Sequence, residues 1–205
     1  MEQLNDIQIQ DFLKAPYASM SSNELLGHFQ TRNGVQYLPL SRGTHLHVER
    51  AEKILKHEFD FNNEVHQLPD TFDWKTNPSL DIEWLILLHK FYYAKDLAGA
   101  YDYTGDDTYT RKWMELVSSW IRNVPDGFIN SQVTGRRLQQ WLSAYHYFVP
   151  GKRSAAITPS FLVELFRSVH SQTLYLCEHL TPEGNHRTIE LYSIFLVAVV
   201  FHELQ

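Results

Sequence analysis

The chain has 205 residues, of which 43% are hydrophobic, enough for one domain with a sizeable core. Its formal charge of −6 argues against a nucleic-acid-binding surface, which would need a basic face. The single cysteine, Cys177, excludes an internal disulfide, and the histidines do not follow a zinc-binding spacing. We therefore predict neither a metal site nor a cofactor. The longest apolar run falls short of the roughly 18–20 residues that cross a bilayer, so no membrane span is predicted.

The hydrophobic pattern is helical along most of the chain. Polar N-caps and turn residues divide it into seven predicted helices. They run from a cap at Ser21 or Ser22 to about Phe29, from Thr44 to about Glu58, from Ser79 to about Tyr103, from Asp107 to Asn123, from Arg136 to Phe148, from Pro159 to about Leu180, and from Asn185 to the last residue. Between the second and third helices, the segment from Phe59 to Pro78 is rich in aromatic and turn residues, and we predict it to be irregular or briefly extended.

Short turns between successive amphipathic helices are typical of antiparallel helical hairpins. We therefore predict a single all-α domain, built as a layered helical toroid or part of one. The last helix is almost wholly apolar from Leu191 to Phe201, and we expect protein on nearly all of its sides. This expectation favours a natural protein that continues past Gln205.

Aromatic residues with polar edges lie on two of the predicted helices. In the segment beginning at Trp84, His89 and Trp84 occupy neighbouring helix faces. In the segment beginning at Gly135, the adjacent arginines Arg136 and Arg137 diverge by about 100°. We predict that six side chains from these two helices contact an acidic sugar: Trp84, His89, Arg136, Arg137, Trp141 and Tyr145. The alternative is structural, with the aromatic residues in the core and the arginines in salt bridges.

The start of the last helix carries the densest polar cluster of the chain. Asn185, His186, Arg187 and Glu190 stand in two helical turns, directly before the apolar part of that helix. A polar cluster on a helix fixed by the core has the defined geometry that a ligand site needs. The alternative is a solvated first helical turn with Asn185 as the N-cap.

Three segments together resemble the N-terminal helical domain of heparinase II/III-like polysaccharide lyases. They are WLILLHKFYYAKDLAGAYDYTGDDTYTRKWMELVSSWI, GRRLQQWLSAYHYF and GNHRTIELYSIFLVAVVF, and the resemblance extends from about Phe59 to the end of the chain. It implies an incomplete (α/α) toroid at about residues 59–205, after an N-terminal segment of about residues 1–58. It also implies that the parent protein has a β-sandwich domain that this chain lacks, with the active site in the cleft between the two domains.

The resemblance implies β-elimination of glycans that contain uronic acid. Asn185 matches the asparagine that neutralises the substrate carboxylate, and His186 matches a neighbouring histidine of alginate-lyase-like members. Arg137 and Arg136 match a helix start that faces the substrate cleft, and Arg187 is a further candidate for binding the acidic polysaccharide. The catalytic tyrosine of the family lies further downstream than this chain runs. We therefore predict that the chain alone is inactive or nearly so.

Several points stay open at the level of the sequence. A non-catalytic carbohydrate-binding helical module and a helical scaffold for a protein partner are both compatible with the pattern. The glycan is also open, with heparan sulfate, alginate and bacterial exopolysaccharides as candidates. The resemblance implies a periplasmic or secreted protein, although residues 1–10 lack the basic and apolar parts of a signal peptide.

Overall fold

The computed structural model describes residues 11–32 and 41–205, so residues 1–10 and 33–40 of the predicted domain lie outside the described part. Within these ranges the chain forms eight α-helices and one β-hairpin. The helices are α1 (Ser22–Thr31), α2 (His45–Leu55), α3 (Ile82–Lys90), α4 (Ala94–Thr104), α5 (Asp107–Asn123), α6 (Ser131–Phe148), α7 (Pro159–Glu178) and α8 (Gly184–Val200). The antiparallel hairpin joins β1 (Glu58–Phe61) to β2 (Glu64–Gln67). The all-α prediction is confirmed.

Side-chain caps set the helix starts that the sequence predicted most closely. The Ser21 side chain accepts from the Glu24 amide, and the Glu24 carboxylate accepts from the Ser21 amide, which forms a complete capping box at α1. At α5, the Asp106 side chain accepts a hydrogen bond from the amide of Thr108. These short polar side chains satisfy amide groups that the first turn of a helix leaves unpaired, so local sequence is enough to place the start.

The predicted helix from Ser79 to Tyr103 is divided in two. The division falls at Phe91, which has a left-handed backbone (φ 59°) and caps the end of α3. Its ring is fully buried and stacks on Trp74 with 5.5 Å between the ring centroids. Burial of this large ring offsets the cost of a left-handed backbone at a residue with a side chain.

Helix α6 begins five residues before the predicted start at Arg136. The side chain of Asn130 accepts from the amide of Val133 and caps the helix there. Arg136 and Arg137 therefore lie inside the helix, in its second turn, and the prediction that they open a helix is wrong. The sequence offered a cap at Asn130, but no apolar pattern before Val133 drew attention to it.

Five of the helices form two layers. In the first layer, Phe91 before α4 meets Trp141 of α6, and Tyr101 near the end of α4 meets Phe148 at the end of α6, so the two helices run parallel. Helix α8 also runs parallel to α6, because Ser131 at the start of α6 bonds to Glu190 in the first turns of α8, and Tyr145 near the end of α6 packs against Phe201 just after α8. The second layer contains α5 and α7. The starts of α4, α6 and α8 consequently lie at one end of the layer.

Only one face of α8 is covered within the described part of the chain. Leu196, Val197 and Val200 are buried, but Leu191 and Phe195 are each 46% exposed on the opposite face. The expectation that protein surrounds α8 on nearly all sides is therefore wrong for the residues described. The physical reason is its position: α6 lies beside it and α7 packs behind it, so the face that carries Leu196, Val197 and Val200 is the buried one.

The last described residues pair with the first. Leu13 and Leu204 form an isolated antiparallel bridge, the Lys14 amide donates to the Glu203 carbonyl oxygen (2.8 Å), and the Gln205 amide donates to the Phe12 carbonyl oxygen (3.0 Å). We call these residues, 12–14 and 203–205, the terminal clasp. None of the helices within the described ranges combines the length and apolar character needed to cross a membrane.

Candidate functional site

Three polar side chains are exposed together at the start of α8. Asn185, His186 and Arg187 all lie in its first turn, after the N-cap position at Glu183. Asn185 is therefore the second helical residue and not the N-cap, which corrects the structural alternative for this residue. Its side-chain amide makes no hydrogen bond to another described residue, so both its donor and its acceptor are available to a ligand.

A buried carboxylate fixes the segment that leads into this turn. Glu190 is fully buried, and its oxygens accept from the Ser131 hydroxyl (2.6 Å), the Thr181 hydroxyl (2.7 Å) and the Thr181 amide (2.7 Å). Burial alone would raise the pKa of Glu190, but these hydrogen bonds and the nearby charge of His186 lower it overall. The carboxylate therefore ties together the start of α6, the loop before α8, and α8 itself.

A second polar link holds Arg136 on the α8 side of α6. Its Nη1 donates to the side-chain oxygen of Gln139 (3.1 Å), and the Gln139 amide donates to Ser193 (2.8 Å) and to the carbonyl oxygen of Ile189 (3.3 Å). Arg136 is partly exposed. It is the one residue of the predicted arginine pair that the structure places toward α8.

Arg137 points to the opposite side and is fully buried. It donates from Nε to Gln172 (2.8 Å), from Nη1 to the carbonyl oxygen of His89 (3.3 Å) and from Nη2 to Thr134 (3.2 Å). Burial lowers its pKa to about 9, while Asp126 and Tyr93 act in the other direction. A guanidinium enclosed in this way cannot reach a glycan outside the fold.

Trp84 and His89 belong to the interior rather than to a sugar-binding wall. The Trp84 indole donates to the Glu64 carbonyl oxygen of the hairpin (3.2 Å). His89 donates from Nε2 to the Trp74 carbonyl oxygen (2.8 Å) and accepts at Nδ1 from the Trp120 indole (3.0 Å). These bonds fix a neutral imidazole, and burial lowers the pKa of His89 to about 4.

Trp141 and Tyr145 also lie in the core. Trp141 is fully buried and meets Trp120 edge to face, and Tyr145 is 1% exposed and packs against Phe166 and Phe201. Together with the placement of Arg137, Trp84 and His89, this corrects the expectation of direct sugar contact for five residues. A helix packed in a two-layer fold buries almost its whole circumference, so aromatic residues on several of its faces serve packing.

Reasoning from the sequence missed the residues that support the exposed turn. Glu190 was grouped with a solvated first turn, and Gln139, Ser131 and Thr181 were not singled out. The signal that could have identified Glu190 is its place four residues after His186, directly before the apolar face of the helix. Its partners come from two other segments, and no local pattern pointed to them.

A groove in the described part of the chain lies away from these residues. It has a volume of about 1190 Å³ and runs between α5 and α7, beside the loop at residues 70–75. Its basic side chains, such as Arg111 and Arg122, are balanced by acids such as Glu115 and Glu164, and it includes none of the predicted site residues. Nor do the described residues contain a group of three or more His, Cys, Asp or Glu that could hold a metal ion.

Comparison with known proteins shows where such a fold occurs. The family described as Heparinase II/III N-terminus matches residues 2–205. A heparin-sulfate lyase of Pedobacter heparinus is 32% identical over 171 residues, covering 77% of this chain and 25% of that protein. A heparin-sulfate lyase of Bacteroides thetaiotaomicron is 23% identical over 201 residues, covering 86% of this chain and 28% of that protein.

Solved structures agree with the fold. The heparan sulfate lyase HepC from Pedobacter heparinus superimposes with a TM-score of 0.76 at 26% identity, covering 93% of this chain and 33% of that one. A heparinase III structure gives a TM-score of 0.82 at 19% identity, covering 97% and 35%. The predicted incomplete toroid is thereby confirmed, and the chain spans about a quarter to a third of the length of these relatives. The chain belongs to the heparinase II/III family of polysaccharide lyases and corresponds to its N-terminal helical region.

Proposed function

We propose that this chain forms the helical part of a lyase that cleaves glycans containing uronic acid by β-elimination. The observation that carries the proposal is the exposed, unpaired amide of Asn185 next to His186, on a helix turn held by a buried carboxylate. The relatives named as heparin-sulfate lyases support an acidic glycan as the substrate class. A parent protein with a further β-sandwich domain is part of the same proposal.

The chemistry of β-elimination gives Asn185 its role. The reaction removes a proton from the carbon next to a carboxylate, and negative charge then accumulates on the carboxylate oxygens. An amide that donates a hydrogen bond to these oxygens lowers the barrier, by an effect worth roughly 10²–10³ in rate for each donor. The side chain of Asn185 supplies such a donor, and its position on a helix limits the motion of the donor.

His186 and two arginines complete the proposed contacts. The His186 imidazole can donate to the same carboxylate or exchange a proton with the substrate. The guanidinium groups of Arg136 and Arg187 would bind carboxylate or sulfate groups of neighbouring sugars through paired hydrogen bonds. Because Arg187 already donates to the Pro182 carbonyl oxygen, its orientation is partly set before a ligand arrives.

The exposed apolar side chains of α8 support a second candidate. Leu191 and Tyr192 form an exposed apolar strip next to the polar turn, and exposed apolar surface often marks a protein-binding site. A helical scaffold would therefore bind a protein partner through this strip. A non-catalytic carbohydrate-binding module would use the polar turn without elimination. A periplasmic or secreted location stays a prediction.

Binding measurements on the chain test the proposal. By calorimetry, heparan sulfate oligosaccharides should bind more tightly than the same oligosaccharides with their carboxylates reduced to alcohols. Asn185→Ala and His186→Ala should remove most of this preference, because they remove the donors that recognise the carboxylate. Alginate oligosaccharides, tested in parallel, distinguish the glycan classes.

Two matched variants control the measurement. Asn23 is also exposed and is the second residue of a helix, so Asn23→Ala makes the same chemical change in α1. His45 is exposed in the first turn of α2 and has Glu49 four residues later, as His186 has Glu190, so His45→Ala is the second control. Equal effects of Asn23→Ala and Asn185→Ala, or equal affinity for native and reduced glycans, would overturn the proposal.

A further inference from the structure

We infer that Glu190 is the positioning residue of the glycan site, and that its carboxylate sets the orientation of Asn185 and His186 toward the substrate. The inference rests on the proposed function of the exposed turn and assigns Glu190 no contact with the substrate. Glu190 is fully buried, whereas Asn185 and His186 are exposed.

The contacts of Glu190 cross three segments. One oxygen accepts from the hydroxyls of Ser131 and Thr181, and the other accepts from the Thr181 amide. Hydrogen bonds to an ionised carboxylate are among the stronger ones in proteins. Thr181 lies three residues before Gly184, the first residue of α8. The carboxylate therefore fixes the entry of the chain into the turn that carries Asn185.

Close packing makes the frame around Glu190 rigid. Gly135 of α6 approaches α8 so closely that a Cβ atom there would lie 3.1 Å from the Ser193 hydroxyl oxygen and 3.5 Å from the Cα of Glu190. The Ser193 hydroxyl in turn donates to the Gly135 carbonyl oxygen (2.9 Å). Because α6 and α8 are locked together at Glu190, loss of its carboxylate would act on the loop at Thr181 and on the first turn of α8, rather than on the helix pair.

If Glu190 served only to fill space in the core, an apolar residue at this position would stabilise the fold better. A buried carboxylate has a desolvation cost that its hydrogen bonds must offset, and apolar replacements of buried charged groups are often neutral or stabilising. The arrangement at Glu190 instead brings both donors of Thr181, in the entering loop, to the same carboxylate as the Ser131 hydroxyl. This geometry favours a function in orienting the turn.

The test compares variants of the chain by two independent measurements. The first is the preference for native over carboxyl-reduced heparan sulfate oligosaccharides. The second, made without glycan, is the amide hydrogen exchange of residues 184–188 with the side-chain NMR signals of Asn185. Glu190→Gln keeps the size of the side chain but replaces one acceptor oxygen by a donor. Thr181→Val removes one hydroxyl, and Thr181→Ser restores it.

We expect Glu190→Gln to reduce the carboxylate preference roughly tenfold, the size of effect that loss of one charge-assisted hydrogen-bond network has on an equilibrium. Exchange at residues 184–188 should rise in parallel. Thr181→Val should show a smaller loss, and Thr181→Ser should behave as wild type. Glu49→Gln, which changes an exposed glutamate four residues after His45, should change neither measurement. Partial unfolding cannot imitate the result, because it lowers both affinities by the same factor and leaves their ratio unchanged.

The outcomes separate the two proposals. If wild type prefers the native glycan and Glu190→Gln keeps that preference, the positioning role is overturned while the proposed function stands. If wild type binds native and carboxyl-reduced glycans equally well, the proposed function fails. The amide hydrogen exchange of residues 184–188 then decides by itself whether Glu190 orients the turn. Unchanged exchange and unchanged Asn185 signals in Glu190→Gln would then overturn the inference, and faster exchange confined to residues 184–188 would support it.

Discussion

The guanidinium carbon of Arg137 lies 3.8 Å from the centroid of the Trp120 ring, in the centre of the fold. No carboxylate among the described residues forms an ion pair with Arg137. Its charge is instead met by the indole face and by hydrogen bonds to Gln172, Thr134 and the His89 carbonyl oxygen. Arg137 therefore joins α3, α5, α6 and α7 from the inside, a different role from that of the exposed cation expected from the sequence.

Removal of the Arg137 side chain should unfold much of the domain. Arg137→Ala leaves a cavity and removes three hydrogen bonds from buried acceptors, so we expect a loss of about 3 kcal/mol or more in the free energy of unfolding, measured with urea. Arg137→Lys should not restore the lost free energy of unfolding, because an ammonium group cannot make three hydrogen bonds in a plane while stacking on Trp120. Arg136→Ala, the neighbouring control, should cost about 1 kcal/mol or less. A stable Arg137→Ala that has lost glycan affinity would instead support direct contact with the ligand.

Stability should fall as the pH drops from about 6.5 to about 4. Burial lowers the pKa of both His89 and His146 from 6.5 to about 4, so over this window the unfolded chain binds protons that the folded chain does not. The part of the free energy of unfolding that depends on these neutral imidazoles is fully present above pH 6.5 and is lost by about pH 4. The difference is worth up to about 3 kcal/mol for each histidine. Urea unfolding at several pH values measures it.

The same experiment on His146→Phe isolates one histidine. Neither ring nitrogen of His146 has a hydrogen-bond partner among the described residues, so phenylalanine leaves no described group unpaired. We expect this variant to be at least as stable as wild type at pH 7, with roughly half of the pH dependence. A His146→Phe protein with the full dependence would show that His146 is not its source.

The contact between α6 and α8 should resist any added side chain at Gly135. The methyl group of Gly135→Ala would meet the Ser193 hydroxyl, which is held by bonds to the backbone and to Gln139. We expect a net loss of about 1 kcal/mol, since overpacking exceeds the gain in helix propensity. Combined with Ser193→Ala, the loss should be smaller than the sum of the two single changes, as thermal or urea unfolding would show. Additive losses would mean that the two side chains do not meet.

The chain alone should produce little or no unsaturated product from heparan sulfate or alginate. It spans about a quarter to a third of the length of its relatives, and we expect the groups that complete the acid–base set to come from the remainder of the parent protein. Absorbance of the unsaturated sugar measures the reaction, with an active family member as the positive control. Robust turnover by wild type, abolished in Asn185→Ala, would place a complete active site within these 205 residues.

Local sequence signals predicted the bounds of the helices better than they predicted which faces of the helices are buried. The caps at Ser21 and Asp106 are satisfied by residues two or three positions away, so they could be read directly from the sequence. The break at Phe91 depends on Trp74, seventeen residues earlier, and no local pattern contains that contact. For the site, the composition of the segment pointed to the polar cluster at Asn185 and His186, and its role in binding a glycan stays a prediction.

The burial of Arg137 could not be predicted in the same way. Helical periodicity shows which residues share a face, but it does not show that a second layer covers the opposite face. Likewise, the sequence around Glu190 indicates a solvent-exposed glutamate, and only the folded structure shows its contacts with Ser131 and Thr181. These residues take their roles from partners that the chain brings together only on folding.

The terminal clasp makes the two ends of α8 depend on different parts of the chain. The Asn185 end is held by Thr181, close in sequence, and by Ser131. The other end is held by Arg32, which donates to the Val200 carbonyl oxygen and the Glu203 carboxylate, and by the pairing of Leu13 with Leu204, which has a very long loop between its members. Closing such a loop is entropically costly and becomes favourable only after the intervening helices have packed. We therefore expect the clasp to form late in folding and to open early, so that fluctuations begin at the Leu204 end while the polar turn at Asn185 stays in place.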